Sequence, residues 1–174
     1  MKPMLAKKTQ MGSVPQGPYL YEIKWDGIRA IITLDHDTIT IRSRSGRDIT
    51  AQFPEVTGTL NTHPIFHIST AVFDSEIVCF DKSGSPDFTR VTSRLHLGSR
   101  EGRADGAVND PATVMLFDLL SYNGTDITGR VLKERRELLE DCFKPTPEWK
   151  LSRAYLDGNA LYENSEKIEI LVRD

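Results

Sequence analysis

Cysteine is scarce in this sequence, and long hydrophobic runs are absent. The 174 residues include two cysteines, Cys79 and Cys142, which lie much farther apart than the paired ligands of a zinc site. No segment approaches the ~18 consecutive apolar residues of a membrane-spanning helix, and residues 1–8 lack the apolar core of a signal peptide. We therefore expect a reduced, cytoplasmic protein without zinc or a membrane partner, in which both cysteines are small core residues.

An excess of positive charge is also lacking. Lysine and arginine total 22 against 25 aspartate and glutamate residues, which gives a formal net charge of −3. The charge of the whole chain therefore does not point to a nucleic-acid partner. Hydrophobic residues make up 39% and charged residues 27% of the sequence, as in soluble globular proteins. The length fits one domain, residues 1–174, with a core of its own.

Three short β-prone runs lie near the N-terminus, at residues 19–24, 28–34 and 38–43. Asp26-Gly27 between the first two runs is typical of a turn, and residues 35–37 turn the chain again before the third. This pattern predicts an antiparallel meander. Lys24 ends the first run, so we expect the sheet to fix its side chain at the end of a strand. On its own, a lysine in that position is most often a solvated edge charge.

The remainder of the chain alternates between predicted helices and strands. Helices are predicted at residues 54–62, 88–95 and 128–139 and from Asp157 onward, and strands at 71–81, 112–120 and 149–155. The run 112–120 is continuously apolar, as in a strand buried on both faces. The segment 97–110 is rich in glycine and charge and is predicted to be a mobile loop. The inner stripe of the helix at 128–139 is formed by Val131, Leu132, Arg135, Leu138, Leu139 and Cys142, with Arg135 as its polar interruption.

Residues 22–29, Glu-Ile-Lys-Trp-Asp-Gly-Ile-Arg, resemble the adenylation motif of ATP-dependent DNA ligases and mRNA capping enzymes. In that motif, a lysine followed two and three residues later by Asp and Gly attacks the α-phosphate of a nucleotide. The resemblance implies that Lys24 is the catalytic nucleophile and that ATP and Mg²⁺ are the cofactors. Such an attack needs alignment and neutralised phosphate oxygens more than an unusual acid or base.

Three further segments resemble ligase motifs and follow in the family's order. Residues 43–46 read Ser-Arg-Ser-Gly and are similar to the second motif, in which an asparagine stands where this chain has Ser45. Residues 74–78 are similar to Asp-Gly-Glu-Ile-Val, with Ser75 in place of the glycine. We expect this serine to weaken binding if the backbone must approach a ligand closely there. Residues 116–120, Leu-Phe-Asp-Leu-Leu, are similar to the motif whose aromatic residue stacks on adenine.

The resemblance covers residues 2–169 and implies an α+β fold with antiparallel sheets flanked by helices, the adenylation domain of the DNA ligase/mRNA capping enzyme superfamily. It implies that the nucleotide is bound by Glu22, Ile23, Arg29, Arg44, Glu76 and Phe117. Glu22 is expected to read the adenine, and Phe117 to stack on it. Arg29 and Glu76 are expected near the sugar and the phosphates, and Arg44 near the nucleotide or a DNA phosphate.

The last residues depart from the family pattern. Ligases have Glu-Gly-(Ile/Val)-Val-(Ala/Leu)-Lys at this point, whereas residues 169–174 read Glu-Ile-Leu-Val-Arg-Asp. Glu169 is retained and is expected to hold Mg²⁺, but Ile170 replaces the glycine and Asp174 replaces the lysine. We therefore expect an adenylation domain that is incomplete at its C-terminus and lacks the oligonucleotide-binding barrel. It is expected to be a monomer and to meet nicked double-stranded DNA through a separate or missing domain.

Two hypotheses for the function follow. The first is a DNA ligase-like nucleotidyltransferase that forms lysine–AMP on Lys24, as the first step of DNA strand joining in repair or recombination. The alternative is a catalytically impaired remnant that binds nucleotide or a partner without sealing nicks, and RNA ligase or capping chemistry is a distant third. From the residues alone, three site residues also have a plainer interpretation: Arg44 as a solvated arginine, Glu76 as an edge-strand carboxylate and Phe117 as a core side chain.

Overall fold

The computed structural model describes residues 3–4, 7–8, 17, 19–61, 65–157 and 170–173. These residues belong to two compact units, each with its own β-sheet. The larger unit contains Asp26–Leu151, and the smaller one combines Lys2–Trp25 with Ser152–Asp174. The boundary between the units thus falls inside the motif around Lys24. None of the described helices has the length and apolar character needed to cross a membrane.

Strands and helices are both well represented in the described chain. The strands are β1 (Lys7–Lys8), β2 (Leu20–Ile23), β3 (Ile28–Asp35), β4 (Thr38–Ser43), β5 (Thr70–Cys79), β6 (Ala112–Tyr122), β7 (Thr125–Asp126), β8 (Trp149–Leu151), β9 (Ala154–Tyr155) and β10 (Ile170–Arg173). The α-helices are α1 (Pro54–Gly58), α2 (Phe88–Arg94), α3 (Arg100–Asn109) and α4 (Leu132–Asp141), with 3₁₀ turns at Thr50–Gln52 and Thr59–Asn61. This mixture confirms the α+β class.

The larger unit is organised around a mostly antiparallel sheet with strand order β4-β3-β5-β6-β7, in which β8 pairs with β6 in parallel. β6 is buried from Ala112 to Ser121, which confirms the prediction of a strand covered on both faces. The main hydrophobic core packs on one face of this sheet and includes Ile32, Ile41, Phe53, Phe73, Leu116, Leu119, Leu139 and Trp149.

Both cysteines lie in the main core as free thiols, as predicted. Burial raises the pKa of the Cys79 thiol to about 11 and that of the Cys142 thiol to about 12. The nucleophilic thiolate is therefore scarce at neutral pH. Neither cysteine is suited to redox or nucleophilic chemistry in the folded protein.

Part of the predicted meander is present. β3 and β4 form the predicted hairpin, with His36-Asp37 at its turn and His36 at φ 53°. The predicted hairpin between the first two runs is wrong, because β2 belongs to the smaller sheet and pairs with β9 and β10. Gly27 is required for a different reason: a Cβ atom there would lie 2.4 Å from the carbonyl oxygen of Ile77. Asp26-Gly27 therefore lies in the connection between β2 of the smaller sheet and β3 of the larger sheet.

The prediction of a mobile loop at 97–110 is wrong, because most of this segment forms α3. Ser99 caps the helix by accepting a hydrogen bond of 2.9 Å from the backbone nitrogen of Gly102. Gly106 permits close packing, since a Cβ atom there would lie 2.8 Å from Nε of Arg94. Gly106, one of the glycines on which the loop prediction rests, therefore has a packing role inside α3.

Two further predictions can be compared with the structure. The strand predicted at 149–155 is divided between the two sheets, as β8 and β9. α4 begins at Leu132, so Val131 lies outside the helix and is 63% exposed. Arg136, which is not in the predicted inner stripe, is buried. The helix expected from Asp157 onward falls on residues outside the described part of the chain.

Arg94 ties the start of α1 to the neighbouring elements. Its guanidinium donates to both carboxylate oxygens of Glu55, at 2.8 and 3.0 Å, and to the carbonyl oxygens of Gln52 and Asp110, each at 2.7 Å. Glu55 also accepts a hydrogen bond of 2.9 Å from the backbone nitrogen of Ala112 in β6. The start of α1 at residues 53–55 therefore has a structural role, in which one carboxylate and two carbonyl groups accept hydrogen bonds from the terminal nitrogens of a buried arginine.

A buried ion pair joins α4 to β6. Nε and Nη2 of Arg135 donate to Oδ1 and Oδ2 of Asp118, both at 2.8 Å, and the two side chains are 6% and 0% exposed. The hydrogen bonds that Arg135 donates to Asp118 raise the pKa of Arg135, against the opposing effect of burial. Arg135, which interrupts the predicted apolar stripe of α4, is therefore the ion-pair partner of a carboxylate in the sheet of the larger unit.

We expect Gly27→Ala to lower the free energy of unfolding by about 1–3 kcal/mol, because the added methyl group overpacks the site and displaces β3 from β5. Urea unfolding followed by circular dichroism measures this. Gly129→Ala is the matched control, since a Cβ atom there meets nothing within 4 Å, and its effect should stay within about 0.5 kcal/mol. Equal effects of the two substitutions would contradict the packing role of Gly27.

We expect Arg135→Met to lower the free energy of unfolding by about 3–5 kcal/mol, because it leaves the carboxylate of Asp118 buried without its cation. The double variant Asp118→Asn/Arg135→Met should recover part of this loss, since neither charge is then buried. Urea unfolding of the two variants makes the comparison. A single variant as stable as the unsubstituted chain, or a double variant less stable than the single one, would rule out this account.

Candidate functional site

Charged side chains of β3 and β5 share one face of the larger sheet. Alternate residues of these strands belong to the main core, namely Ala30, Ile32, Leu34, Ala71, Phe73, Ile77 and Cys79. Successive side chains of a strand point to opposite faces, so Arg29, Asp74 and Glu76 lie on the face away from the core. The register places Arg29 directly opposite Glu76.

A β-bulge in β6 adds an aromatic ring and a second carboxylate to this face. Leu116 and Leu119 both belong to the main core, although a regular strand would point residues three positions apart to opposite faces. Asp74 lies opposite Asp118, and the next residue of β5, Ser75, lies opposite Leu116. The register between the two strands therefore passes over Phe117. Phe117 and Asp118 therefore lie on the face away from the core. The polar face, as we call it, comprises Arg29, Asp74, Glu76, Phe117 and Asp118.

Arg29 is the central cation of the polar face. Its Nε and Nη2 donate to the two carboxylate oxygens of Asp74 at 2.9 and 2.6 Å. Burial lowers the pKa of Arg29, but the hydrogen bond and the charge of Asp74 outweigh this effect and the pKa is raised overall. Cζ of Arg29 lies 5.8 Å from the centre of the Phe117 ring, within the range of a cation–π contact. The side chain is 20% exposed, so a bound molecule can reach this fixed cation.

A cavity of about 650 Å³ opens beside the polar face, a volume in the range of small-molecule sites. It is lined by Gly27, Ile28, Arg29, Ser43, Arg44, Ser45 and Glu76. These residues come from the start of β3, the end of β4 and the middle of β5, which are neighbouring strands. Two arginines and one carboxylate thus face a space large enough for a nucleotide.

Arg44 lies in a tight loop at the rim of this cavity. The backbone nitrogen of Gly46 donates to the carbonyl of Ser43 at 2.8 Å, and Gly46 adopts φ 83°. Hydroxyl groups of Ser43 and Ser45 lie 3.0 Å apart and hydrogen-bond each other. Ser45, which stands where ligases have asparagine, therefore helps to hold the loop. Arg44 is exposed on this ordered loop, a position suited to a phosphate group.

Ser75 does not project toward the polar face. Its position in β5 lies between Phe73 and Ile77, which both belong to the main core. Its buried hydroxyl donates to the carbonyl oxygen of Ala30 at 2.8 Å. The serine that replaces the family's glycine is thus accommodated on the core side of the sheet, and its hydroxyl is satisfied inside the fold.

Lys24 directly follows β2 in the smaller unit, as the sequence predicts. β2 is an inner strand, between β10 and β9, in the sheet order β1-β10-β2-β9. Lys24 is half-buried, and Nε1 of the adjacent Trp25 donates to Oγ of Ser152 at 2.9 Å. Two-sided strand pairing and the anchored tryptophan therefore fix the backbone on both sides of the lysine.

The two residues before Lys24 face opposite sides of β2. Ile23 packs in a small apolar cluster with Tyr19, Tyr21 and Tyr155. Alternation then points Glu22 to the other side of the strand, where it is buried at 1% exposure. A buried carboxylate is costly unless it is paired or hydrogen-bonded, so Glu22 is not an ordinary surface charge.

The structure distributes the expected site residues between the two units. Four lie together in the larger unit: Arg29, Arg44, Glu76 and Phe117. Three lie in the smaller unit: Glu22, Ile23 and Lys24. Glu169, the expected metal ligand, falls outside the described residues. Within the described ranges, no group of three or more His, Cys, Asp and Glu side chains forms a metal-binding cluster.

Asp118, Arg135 and Arg136 were not identified from the sequence as neighbours of this site. A signal existed for the first two, since a polar residue inside an apolar strand or stripe requires a partner. The identity of that partner depends on how α4 packs against β6, which local spacing does not specify. Arg136 gave no such signal, because its position lies outside the predicted inner stripe of the helix.

Comparison with known proteins places these features in a family. Residues 3–167 match the family model described as the ATP dependent DNA ligase domain. The multifunctional non-homologous end joining protein LigD of Mycobacterium bovis is 33% identical over 146 residues, which cover 84% of this chain and 17% of that protein. DNA ligase C of Mycobacterium tuberculosis is 36% identical over 142 residues, with coverage of 82% and 37%.

Solved structures agree with the sequence comparison. A structure described as mycobacterial DNA ligase D complexed with ATP and MES superposes with a TM-score of 0.68 at 27% identity, covering 89% of this chain and 48% of that one. The chain therefore spans less than half the length of these relatives. Since the family model covers nearly the whole sequence, this protein belongs to the ATP-dependent DNA ligase adenylation domain family.

Proposed function

We propose that this chain carries out the first chemical step of ATP-dependent DNA ligation on Lys24. Nζ of the neutral lysine attacks the α-phosphorus of ATP and forms an N–P bond, while the bond between the α- and β-phosphates breaks and pyrophosphate leaves. The proton lost by the lysine passes to solvent. The observation that carries this proposal is the position of Lys24 at the end of an inner strand, within a chain that matches the ligase domain family.

The larger unit supplies groups for the sugar, the phosphates and the base. Arg29 and Glu76 are proposed to contact the ribose and the phosphates, because both line the cavity and Arg29 is held by Asp74. Arg44 is proposed to bind a phosphate of the nucleotide or of DNA from its exposed loop. Phe117 is proposed to stack on the adenine. Because 6% of Phe117 is exposed, entry of the base requires the groups that cover its ring to move aside.

The smaller unit supplies the nucleophile and its flanking residues. Glu22 is proposed to read the adenine, a role that suits a buried acceptor on the strand that ends at Lys24. The side chain of Ile23 packs with Tyr21, so we assign any nucleotide contact of Ile23 to its backbone. This assignment leaves Lys24 as the reacting group of the smaller unit.

Magnesium is proposed to enter with the triphosphate. Mg²⁺ in nucleotide sites is typically held by one or two carboxylates together with substrate phosphates, and so does not need a dedicated cage of protein ligands. Glu76 on the polar face and Glu169 are the proposed carboxylates of this chain. When bound, the ion would neutralise charge on the phosphate oxygens.

The larger reaction is proposed to be DNA strand joining in repair. One relative is named for non-homologous end joining and another is a DNA ligase. Transfer of AMP from Lys24 to a DNA 5′-phosphate would then prepare the end for attack by a 3′-hydroxyl. Nicked double-stranded DNA is the proposed substrate class.

We expect the chain to acquire one AMP on Lys24 when it is incubated with ATP and Mg²⁺, since the lysine is the proposed nucleophile. Intact-mass spectrometry detects the adduct, and peptide mapping locates it. Lys24→Ala should give no adduct, whereas Lys133→Ala, which changes an exposed lysine on α4, should be labelled normally. Addition of pyrophosphate should remove the AMP, because the same bonds then form and break in reverse.

Two results would contradict the assignment. An adduct on another lysine, or undiminished labelling of Lys24→Ala, would show that Lys24 is not the nucleophile. Preferential labelling by GTP would instead indicate capping-type chemistry. A folded chain that binds ATP but is not labelled would support the impaired remnant that the sequence left as the alternative.

A further inference from the structure

The bulge of β6 is held from α4 by two neighbouring arginines. Nη1 of Arg136 donates to the carbonyl oxygen of Phe117 at 3.0 Å, in a buried position. Arg135 holds the next residue, Asp118, through two hydrogen bonds of 2.8 Å. The two residues at the bulge are therefore each fixed by a guanidinium from the same turn of one helix.

A bulge needs such support more than a regular strand does. The extra residue of a bulge is displaced from the hydrogen-bonded ladder, and a buried carbonyl group must find a donor elsewhere. For Phe117, Arg136 is such a donor, and it is itself 5% exposed. Loss of this donor would remove a buried hydrogen bond from the residue at the bulge.

The bulge also decides where the Phe117 ring points. Strand side chains alternate, so a shift of one residue in register moves a side chain to the opposite face. With the bulge, Leu116 and Leu119 both enter the main core, and Phe117 lies on the polar face beside Arg29. Without the bulge, Leu116 and Leu119 could not both enter the main core while Phe117 lies on the polar face.

We propose that Arg136, together with Arg135, is a positioning residue for the nucleobase: it fixes the bulge that aims Phe117 from the polar face. The proposal rests on the proposed function, in which Phe117 stacks on adenine. Arg136 acts on the base through Phe117 and is not assigned a contact with the nucleotide. If Arg136 had only a structural role, its substitution would lower the stability of the larger unit without weakening binding of the base in particular.

Titration calorimetry with two ligands separates these roles. The first ligand is α,β-methylene-ATP with Mg²⁺, which carries the base but cannot transfer AMP. The second is inorganic tripolyphosphate with Mg²⁺, which lacks the base and the sugar. We expect Arg136→Met to weaken binding of the ATP analogue about fivefold or more, within the range that loss of base–aromatic stacking covers. Binding of tripolyphosphate should change less than about twofold on the same scale.

Three comparison variants sharpen the measurement. Arg136→Lys should recover part of the affinity, because an ammonium group still donates to the Phe117 carbonyl. Lys133→Ala changes an exposed residue of the same helix and should match the unsubstituted chain. If Arg136→Met does not fold, Arg135→Lys provides the test, since it keeps the charge but loses the two-pronged contact with Asp118.

A double variant tests whether Arg136 acts through Phe117. Phe117→Ala/Arg136→Met should bind the analogue no more weakly than Phe117→Ala alone, because the ring that Arg136 positions is already absent. Additive losses, unchanged analogue binding by Arg136→Met, or an equal loss for both ligands would overturn the positioning role. The proposed function fails separately if Phe117→Ala binds the analogue like the unsubstituted chain, and the positioning role then fails with it.

Discussion

Two buried carboxylates face each other across the central strand pair, and the site depends on how their charge is balanced. Asp74 and Asp118 are directly opposite in the β5–β6 register, and both are fully buried. Like charges in that position repel each other, and an isolated buried carboxylate is strongly disfavoured. Arg29 neutralises the first and Arg135 the second, each through two hydrogen bonds. The pairs hold β3, β5, β6 and α4 in one arrangement and set the polar face at the same time.

The same charge balance connects the fold to the proposed chemistry. Because Asp74 holds two nitrogens of Arg29, the guanidinium is fixed in place before any ligand arrives, which lowers the entropy cost of binding a phosphate. Asp118 lies next to Phe117, so the ion pair of Asp118 and Arg135 helps to position the residue that is proposed to stack on the base. The family match extends over both sets of residues. Catalysis by positioning and charge neutralisation is what phosphoryl and nucleotidyl transfer require of a protein.

Local patterns in the sequence were sufficient for the parts of the molecule that depend on neighbouring residues. The end of β2 before Lys24 and the burial of β6 follow from short runs of apolar residues, and both are confirmed. The structure differs from the predictions where residues distant in sequence determine the local arrangement. The sequence predicts a turn at Gly27, whereas the structure requires a glycine there because the carbonyl oxygen of Ile77 lies too close for a Cβ atom. The bulge at Phe117 was not predictable, since it depends on α4 and the register with β5.

Binding of the nucleotide at the polar face is the proposal on which the roles of Arg29, Glu76 and Phe117 depend. A crystal structure of the chain with α,β-methylene-ATP and Mg²⁺ tests it most directly, because the analogue stays intact in the site. We expect the adenine ring to lie against Phe117, with the ribose and phosphates in contact with Arg29 and Glu76. A nucleotide bound elsewhere, with the polar face making no contact to base, sugar or phosphate, would contradict the account.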